Sequence, residues 1–183
     1  MNRHVISEFL GVDKKTVRLK EGVISGLGGF LGIAGVYLVS RVFISNDMAT
    51  FFIVASMGSS AVLLFAAPHS SLTQPWNVLA GHLLSAFVGV SCAKYIGIEL
   101  IAAPASVGIS ITAMYFARCV HPPAGATTLF AVIGGPSVYA LGYSYAYILI
   151  LINTLVILGV ALLFNVLFSW RRYPRSLAKL PSS

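Results

Sequence analysis

Apolar and polar positions in this chain come in blocks, not in residue-by-residue alternation. Gly22 to Val39, Trp76 to Ile96, Ile98 to Ala117 and Ile148 to Phe168 are long, nearly continuous apolar runs. Runs of this length suit helices that cross a hydrocarbon core. Phe51 to Ala67 would make roughly 26 Å of helix at 1.5 Å per residue, slightly short of a core of about 30 Å, and Ala124 to Ile133 is shorter still. A polar break separates Pro68 from Pro75, Pro104 interrupts the fourth run, and Gly134-Gly135-Pro136 stops the short one. The pattern predicts an all-α polytopic membrane protein with four long spans plus two short, broken or re-entrant helices. Trp76, Tyr95, the Tyr139 to Tyr147 stretch and Trp170 fall at segment ends, where interfacial aromatics belong.

The two short segments resemble each other. Gly58-Ser59-Ser60 leads through an apolar stretch to Pro68, and Gly125-Ala126-Thr127-Thr128 leads through another to Pro136. Each lies between two long spans, which predicts an internal duplication (3+3) with halves at about 22–97 and 98–170. If all six segments cross, the halves are inverted relative to one another, the arrangement that places broken helices near mid-membrane. If the short pieces only dip in and return, there are four crossings and the halves are parallel. Irregular backbone at that depth is tolerated only when buried in protein or lining a watery cavity, so these two places are the expected solute path.

Charge sharpens this picture. Only 9% of side chains are charged while 57% are hydrophobic, and the formal net charge is +7. The basic residues flank apolar spans, which is the positive-inside pattern and not a nucleic-acid footprint. Residues 1–21 then form a cytoplasmic amphipathic segment, 22–170 a single transmembrane domain and 171–183 a cytoplasmic basic tail, with both termini inside a cell's inner membrane and no cleaved leader. The glycines between Gly22 and Gly35 include G-x-x-x-G spacings that let another helix approach closely, within this chain or in a homo-oligomer. Cys92 and Cys119 are read as small apolar fillers; Cys119-x-His121 alone is a poor metal site, and neither metal nor cofactor is expected.

His121-Pro122-Pro123-Ala124-Gly125-Ala126-Thr127-Thr128 is the most informative stretch. Proline is tolerated in a first helical turn, so Pro122 and Pro123 mark a helix start. Small residues behind them would leave unpaired N–H groups open to an anion. Arg118 keeps its charge in any environment, and an intramembrane cation is a functional-site candidate; the bland alternative is snorkelling to headgroups. His121 would cap the helix, bind the solute or exchange a proton. Ser59, Ser60, Thr127 and Thr128 supply hydroxyls, and His69, Gln74 and Asn77 stand in or beside the polar break. His82, with Gly81 and Ser85 around it, reads as an interhelical hydrogen-bonding residue. No general acid/base pair is visible, so catalysis is not expected. The expected activity is passage of a small monovalent anion; a non-transporting scaffold and a carrier of another small solute are the alternatives.

Pro68 to Val78 followed by Gly81-His82, and then Cys119 to Thr127, is similar to the HPP family of integral membrane proteins, named after its His-Pro-Pro motif. The similarity runs from the first span to the last. It implies a compact, transporter-like protein without established enzymatic activity. Members in plant plastids and cyanobacteria are associated with nitrite transport, which makes nitrite the first anion to consider. The family's motif residues fall on His69, Gln74, Pro75, Asn77, His82, His121, Pro122, Pro123 and Gly125. Some relatives add a regulatory nucleotide-binding region of CBS type, which is not expected here.

Overall fold

A computed structural model of the protein describes residues 18–43 and 47–178. Most of the expected N-terminal amphipathic segment, the polar turn at Ser45 and Asn46 and the last five residues of the basic tail lie outside them. Helix α1 is Leu19–Phe43 and α2 is Asp47–Ala66; a 3-10 turn at Ser71–Thr73 leads into α3, Pro75–Ile96. Then come α4 (Glu99–Phe116), α5 (Ala124–Ile133) and α6 (Pro136–Leu141), and a π-helical turn at Tyr145–Ile150 feeds α7 (Leu151–Val166). No strand occurs among the described residues. Four stretches are long and apolar enough to cross a membrane: Leu19–Val42, Pro75–Ile96, Glu99–Phe116 and Tyr145–Val166.

Contacts between named residues set the direction of each helix. Arg171, just past α7, pairs with Glu21 at the start of α1 and donates to the Phe65 carbonyl at the end of α2, so α1 and α2 are antiparallel. Trp76 at the start of α3 donates to the Ala117 carbonyl past the end of α4. Gly81 of α3 packs on Cys119 and His121 while Gly89 packs on Thr128 and Ala131, so α5 runs parallel to α3. Gly28 faces Phe164 and Gly35 faces Val156, which makes α7 antiparallel to α1. The start of α1, residues 66–75, 117–121 and 169–175 therefore share one face, here the terminal face; the end of α1, the Gly97 turn and residues 133–145 share the other.

All six segments thus connect opposite faces, and the two halves are inverted. Two expectations need correction. The second segment is not broken: its short apolar part, Ala55–Ala66, belongs to a continuous helix of 20 residues, about 30 Å at 1.5 Å per residue, because Asp47 to Thr50 continue it. Pro104 does not break α4 either. It lies in the second turn, where the missing N–H forfeits one bond near the helix start. The short segment Ala124–Ile133 and its stop at Gly134 and Gly135 are as expected, with Gly135 at φ 83°.

One apolar cluster, with Val36, Met57, Leu64, Phe65, Ile157 and Ala161, ties α1, α2 and α7 together; a second, with Ala86, Val90, Ala131 and Tyr145, joins α3, α5 and the π-turn. Leu100, Phe116, Leu163 and Phe30 are largely exposed, as lipid-facing side chains must be. The glycines of α1 divide: Gly28 and Gly32 accommodate Phe65, whereas Gly22, Gly26 and Gly29 face open space. Gly26, Gly29 and Gly58 line an apolar groove of about 360 Å³ on the outer surface.

The chain after α7 folds back over the polar break. Tyr173, fully buried, donates to the Thr73 carbonyl at 2.6 Å, and Gln74 Oε1 accepts from the Arg175 N–H. His69 Nε2 lies 3.1 Å from the Arg172 carbonyl. Burial pushes the Tyr173 phenol above its ordinary range and keeps it a donor.

Candidate functional site

Four helices deliver a compact set of buried polar side chains. Ser60 of α2 faces two imidazoles: His82 Nε2 lies 2.8 Å from its Oγ and His121 Nε2 lies 2.9 Å away. His82 Nδ1 is 2.7 Å from Thr127 Oγ1 of α5, and His121 Nδ1 is 2.8 Å from the Leu72 carbonyl of the 3-10 turn. The two rings sit edge to face with centroids 5.0 Å apart. Ser60, His82, His121 and Thr127 are all 0% exposed. Tyr145 donates to the Thr127 carbonyl at 2.9 Å, Thr127 Oγ1 lies 3.4 Å from Ser56 Oγ, and Ser110 donates to Thr128 Oγ1.

Glycine makes this convergence possible. A Cβ on Gly81 would stand 2.9 Å from both the Cys119 carbonyl and His121 Cβ, closer than real side chains come, so only glycine lets the His-Pro-Pro turn settle beside His82. The turn enters about 10 Å along α3 at 1.5 Å per residue. Asn77 pins it from above, donating to the Val120 carbonyl at 3.0 Å. Non-helical backbone thus enters the bundle with the carbonyls of Val120, His121, Pro122 and Pro123 each accepting a hydrogen bond, as a membrane interior requires.

The open helix start read from the sequence is not there. The N–H groups of Ala124, Gly125 and Ala126 donate to the carbonyls of His121, Pro122 and Pro123 at 3.0, 3.1 and 3.1 Å. Two consecutive prolines bend the entering chain into a tight turn whose own carbonyls reach those amides, so they are not free for an anion. Ala124 is buried; Gly125 and Ala126 are partly exposed.

The other sequence candidates fall in three places. Arg118 is exposed and lies with Asn77, Tyr115, Phe116 and Val120 around a surface indentation of about 540 Å³ on the terminal face. It ends α4 in a Schellman arrangement, with Arg118 N–H on the Tyr115 carbonyl and Cys119 N–H on the Met114 carbonyl. Its φ of 53° is the left-handed value at which helices ordinarily place glycine. His69 and Gln74 hold the folded-back C-terminal segment. Ser59 points outward, away from Ser60, and Thr128 joins α5 to α4 through Ser110. The structure brings together Ser60, His121 and Thr127, adds His82, and leaves Arg118 at the surface two residues before the pinned Val120. Among the described residues no group of three or more His, Cys, Asp or Glu is arranged to hold a metal ion.

Comparison with known proteins agrees with this architecture. The profile of the family described as HPP, transmembrane region, matches residues 14–174. A transmembrane protein of Dictyostelium discoideum is 34% identical over 174 residues, covering 91% of this chain and 55% of the relative. A second transmembrane protein of the same organism is 35% identical over 130 residues, covering 67% of this chain and 44% of its own length. The chain spans about half the length of these relatives. No solved structure matches. On the breadth of the profile match, and with the His121-Pro122-Pro123 turn carrying a buried histidine into the cluster, the chain belongs to the HPP family of transmembrane proteins.

Proposed function

We propose that the protein carries a small monovalent anion, nitrite first, across the bilayer, with Arg118 at the mouth and the cluster of Ser60, His82, His121 and Thr127 as the inner station. One observation carries the reading: two imidazoles and two hydroxyls, all completely buried, are joined to one another by hydrogen bonds inside the bundle. Polar groups at such depth are costly and collect where solutes or protons pass. They also stand where Ser60 and His82 of the first half meet His121 and Thr127 of the second, between the two inverted halves, as the sites of transporters do. Nitrite is favoured by the family resemblance, and the donor character of the hydroxyls and ring N–H groups suits any small oxyanion. The reading involves no catalysis.

Orientation follows from charge. Lys20, Arg118, Arg171, Arg172 and Arg175 belong to the terminal face and only Arg41 and Lys94 to the other, which favours a cytoplasmic terminal face in the cell's inner membrane.

A second reading has its own support. Both nitrogens of each imidazole are already paired inside the protein, which suits a scaffold pinned by polar contacts. Purified protein in liposomes, tested for uptake of nitrite, nitrate, formate and chloride against protein-free vesicles, separates the two. Transport predicts nitrite uptake well above the blank; silence for all four anions would support the scaffold.

A further inference from the structure

The hydrogen bonds of the cluster form a single file from the terminal face inward: Leu72 carbonyl, His121, Ser60, His82, Thr127, Ser56. A carbonyl only accepts, so His121 Nδ1 carries hydrogen. In a neutral ring Nε2 is then an acceptor, and Ser60 must donate to it. Having spent its one hydrogen, Ser60 Oγ accepts from His82 Nε2–H, which leaves His82 Nδ1 to accept from Thr127, whose single hydrogen goes to this 2.7 Å contact in preference to the 3.4 Å one it can donate to Ser56. One carbonyl thereby sets the direction of every proton in the file. The same argument assigns opposite tautomers to the two histidines, Nδ1–H for His121 and Nε2–H for His82.

We infer that Ser60 is a proton bridge between His82 and His121, and that the bridged pair ties each anion to one proton. The file has room for one extra proton, taken from water on the face opposite the terminal one as the anion enters. It binds at His82 Nδ1 as the Thr127 hydroxyl turns to Ser56, making His82 an imidazolium. The His82 Nε2–H bond then breaks as its proton passes to Ser60 Oγ, while the hydrogen of Ser60 passes to His121 Nε2. His82 ends neutral, Ser60 is again a hydroxyl, and the positive charge has moved to His121 with no change of oxidation state. From His121 the Nδ1 proton leaves to water at the terminal face when the Leu72 turn opens. The carbonyl of Leu72 would repel a bare Nδ1, so the turn closes only after both imidazoles have reoriented, without net gain of a proton, to present an N–H to the carbonyl and to Ser60 again.

The groups packed around the pair do not provide another proton holder. Cys119 sits in an apolar cluster with Met114 and Ala124, and Tyr145 gives its hydroxyl to the Thr127 carbonyl. From α2 come Ser56 and Ser60, from α4 Ser110, and from α5 Thr127 and Thr128, each of them a neutral hydroxyl. An imidazolium among these hydroxyls calls for an anionic partner in a medium of low dielectric. A monovalent anion supplies it, which makes the loaded cluster neutral and the coupling one to one.

Two measurements decide this, and the coupling alone rests on the transport reading above. Solid-state ¹⁵N spectra of histidine-labelled protein in lipid bilayers near neutral pH, assigned with His82→Asn and His121→Asn, should show His121 protonated at Nδ1 and His82 at Nε2. An Nε2–H tautomer at His121 would overturn the bridge. In liposomes holding a pH-sensitive dye, nitrite uptake by the wild type should acidify the lumen in a fixed ratio beyond protein-free vesicles. In Ser60→Ala that proton-to-anion ratio should fall at least tenfold, and Ser60→Thr should restore it. A merely structural Ser60 would lower the rate and leave the ratio unchanged, which would sink the inference. Wild-type protein that moves no anion would overturn the transport reading and the coupling, while the tautomers still decide the bridge.

Discussion

Arg118 occupies a backbone position at which glycine is the less strained residue. A left-handed conformation costs an L-residue about 1 kcal/mol or more, and its persistence at φ 53° at the mouth of an indentation fits strain retained for function. Arg118→Gly should raise the melting temperature in detergent, with a gain of about 1 kcal/mol. At low ionic strength the same change should slow anion uptake several-fold, and the deficit should shrink as salt screens the charge. Unaltered uptake would return Arg118 to the snorkelling role. At this scale the sequence was partly legible. A lone arginine in an apolar chain marks itself, but the turn that points it outward is not visible in spacing. His82 was legible only as an interhelical hydrogen-bonding residue, since its partners lie 22 and 45 residues away in the chain.

Helices in this protein meet through selected glycines. A Cβ on Gly89 would stand 2.5 Å from the Thr128 carbonyl and 2.7 Å from Ala131 Cβ, so α3 and α5 touch backbone to side chain. Gly89→Ala must push α5 off α3, and overpacking of this kind costs about 1–3 kcal/mol. Thermal unfolding in detergent should show that loss, along with weaker protection of the His82 to Thr127 contact. Gly26→Ala, which meets nothing within 4 Å, should leave stability unchanged. Equal effects from the two would contradict the packing described. The sequence showed glycines spaced for close approach, but not which of them face a neighbour, because that depends on rotation about the α1 axis. It also left open whether α2 is broken, since its apolar run begins only at Phe51 while the helix begins at Asp47. The first turn of α5 misled for a related reason: two prolines imply a helix start, but the curl of their carbonyls onto the next amides is a backbone detail.

At the scale of the whole molecule, the fold is two inverted units of three crossings, closed at the terminal face by its own C-terminal segment. Arg171, 3% exposed, draws together Glu21, Ser25, Asn165 and the Phe65 carbonyl, joining the start of α1 to the ends of α2 and α7. The weak repeat around Ser59 to Ser60 and Thr127 to Thr128 suggested a division into two units of three. The inversion was not, because segment length alone left crossing and re-entry equally open. The account stands on the cluster of Ser60, His82, His121 and Thr127 being on the solute path, although all four are shut from solvent in this conformation. The most direct test is a Thr127→Cys variant in a background with Cys92 and Cys119 replaced by alanine. In liposomes, its labelling by a small charged thiol reagent is followed with and without nitrite. The account predicts labelling from water that nitrite slows several-fold; a thiol that never reacts from either face, at any anion concentration, would contradict it.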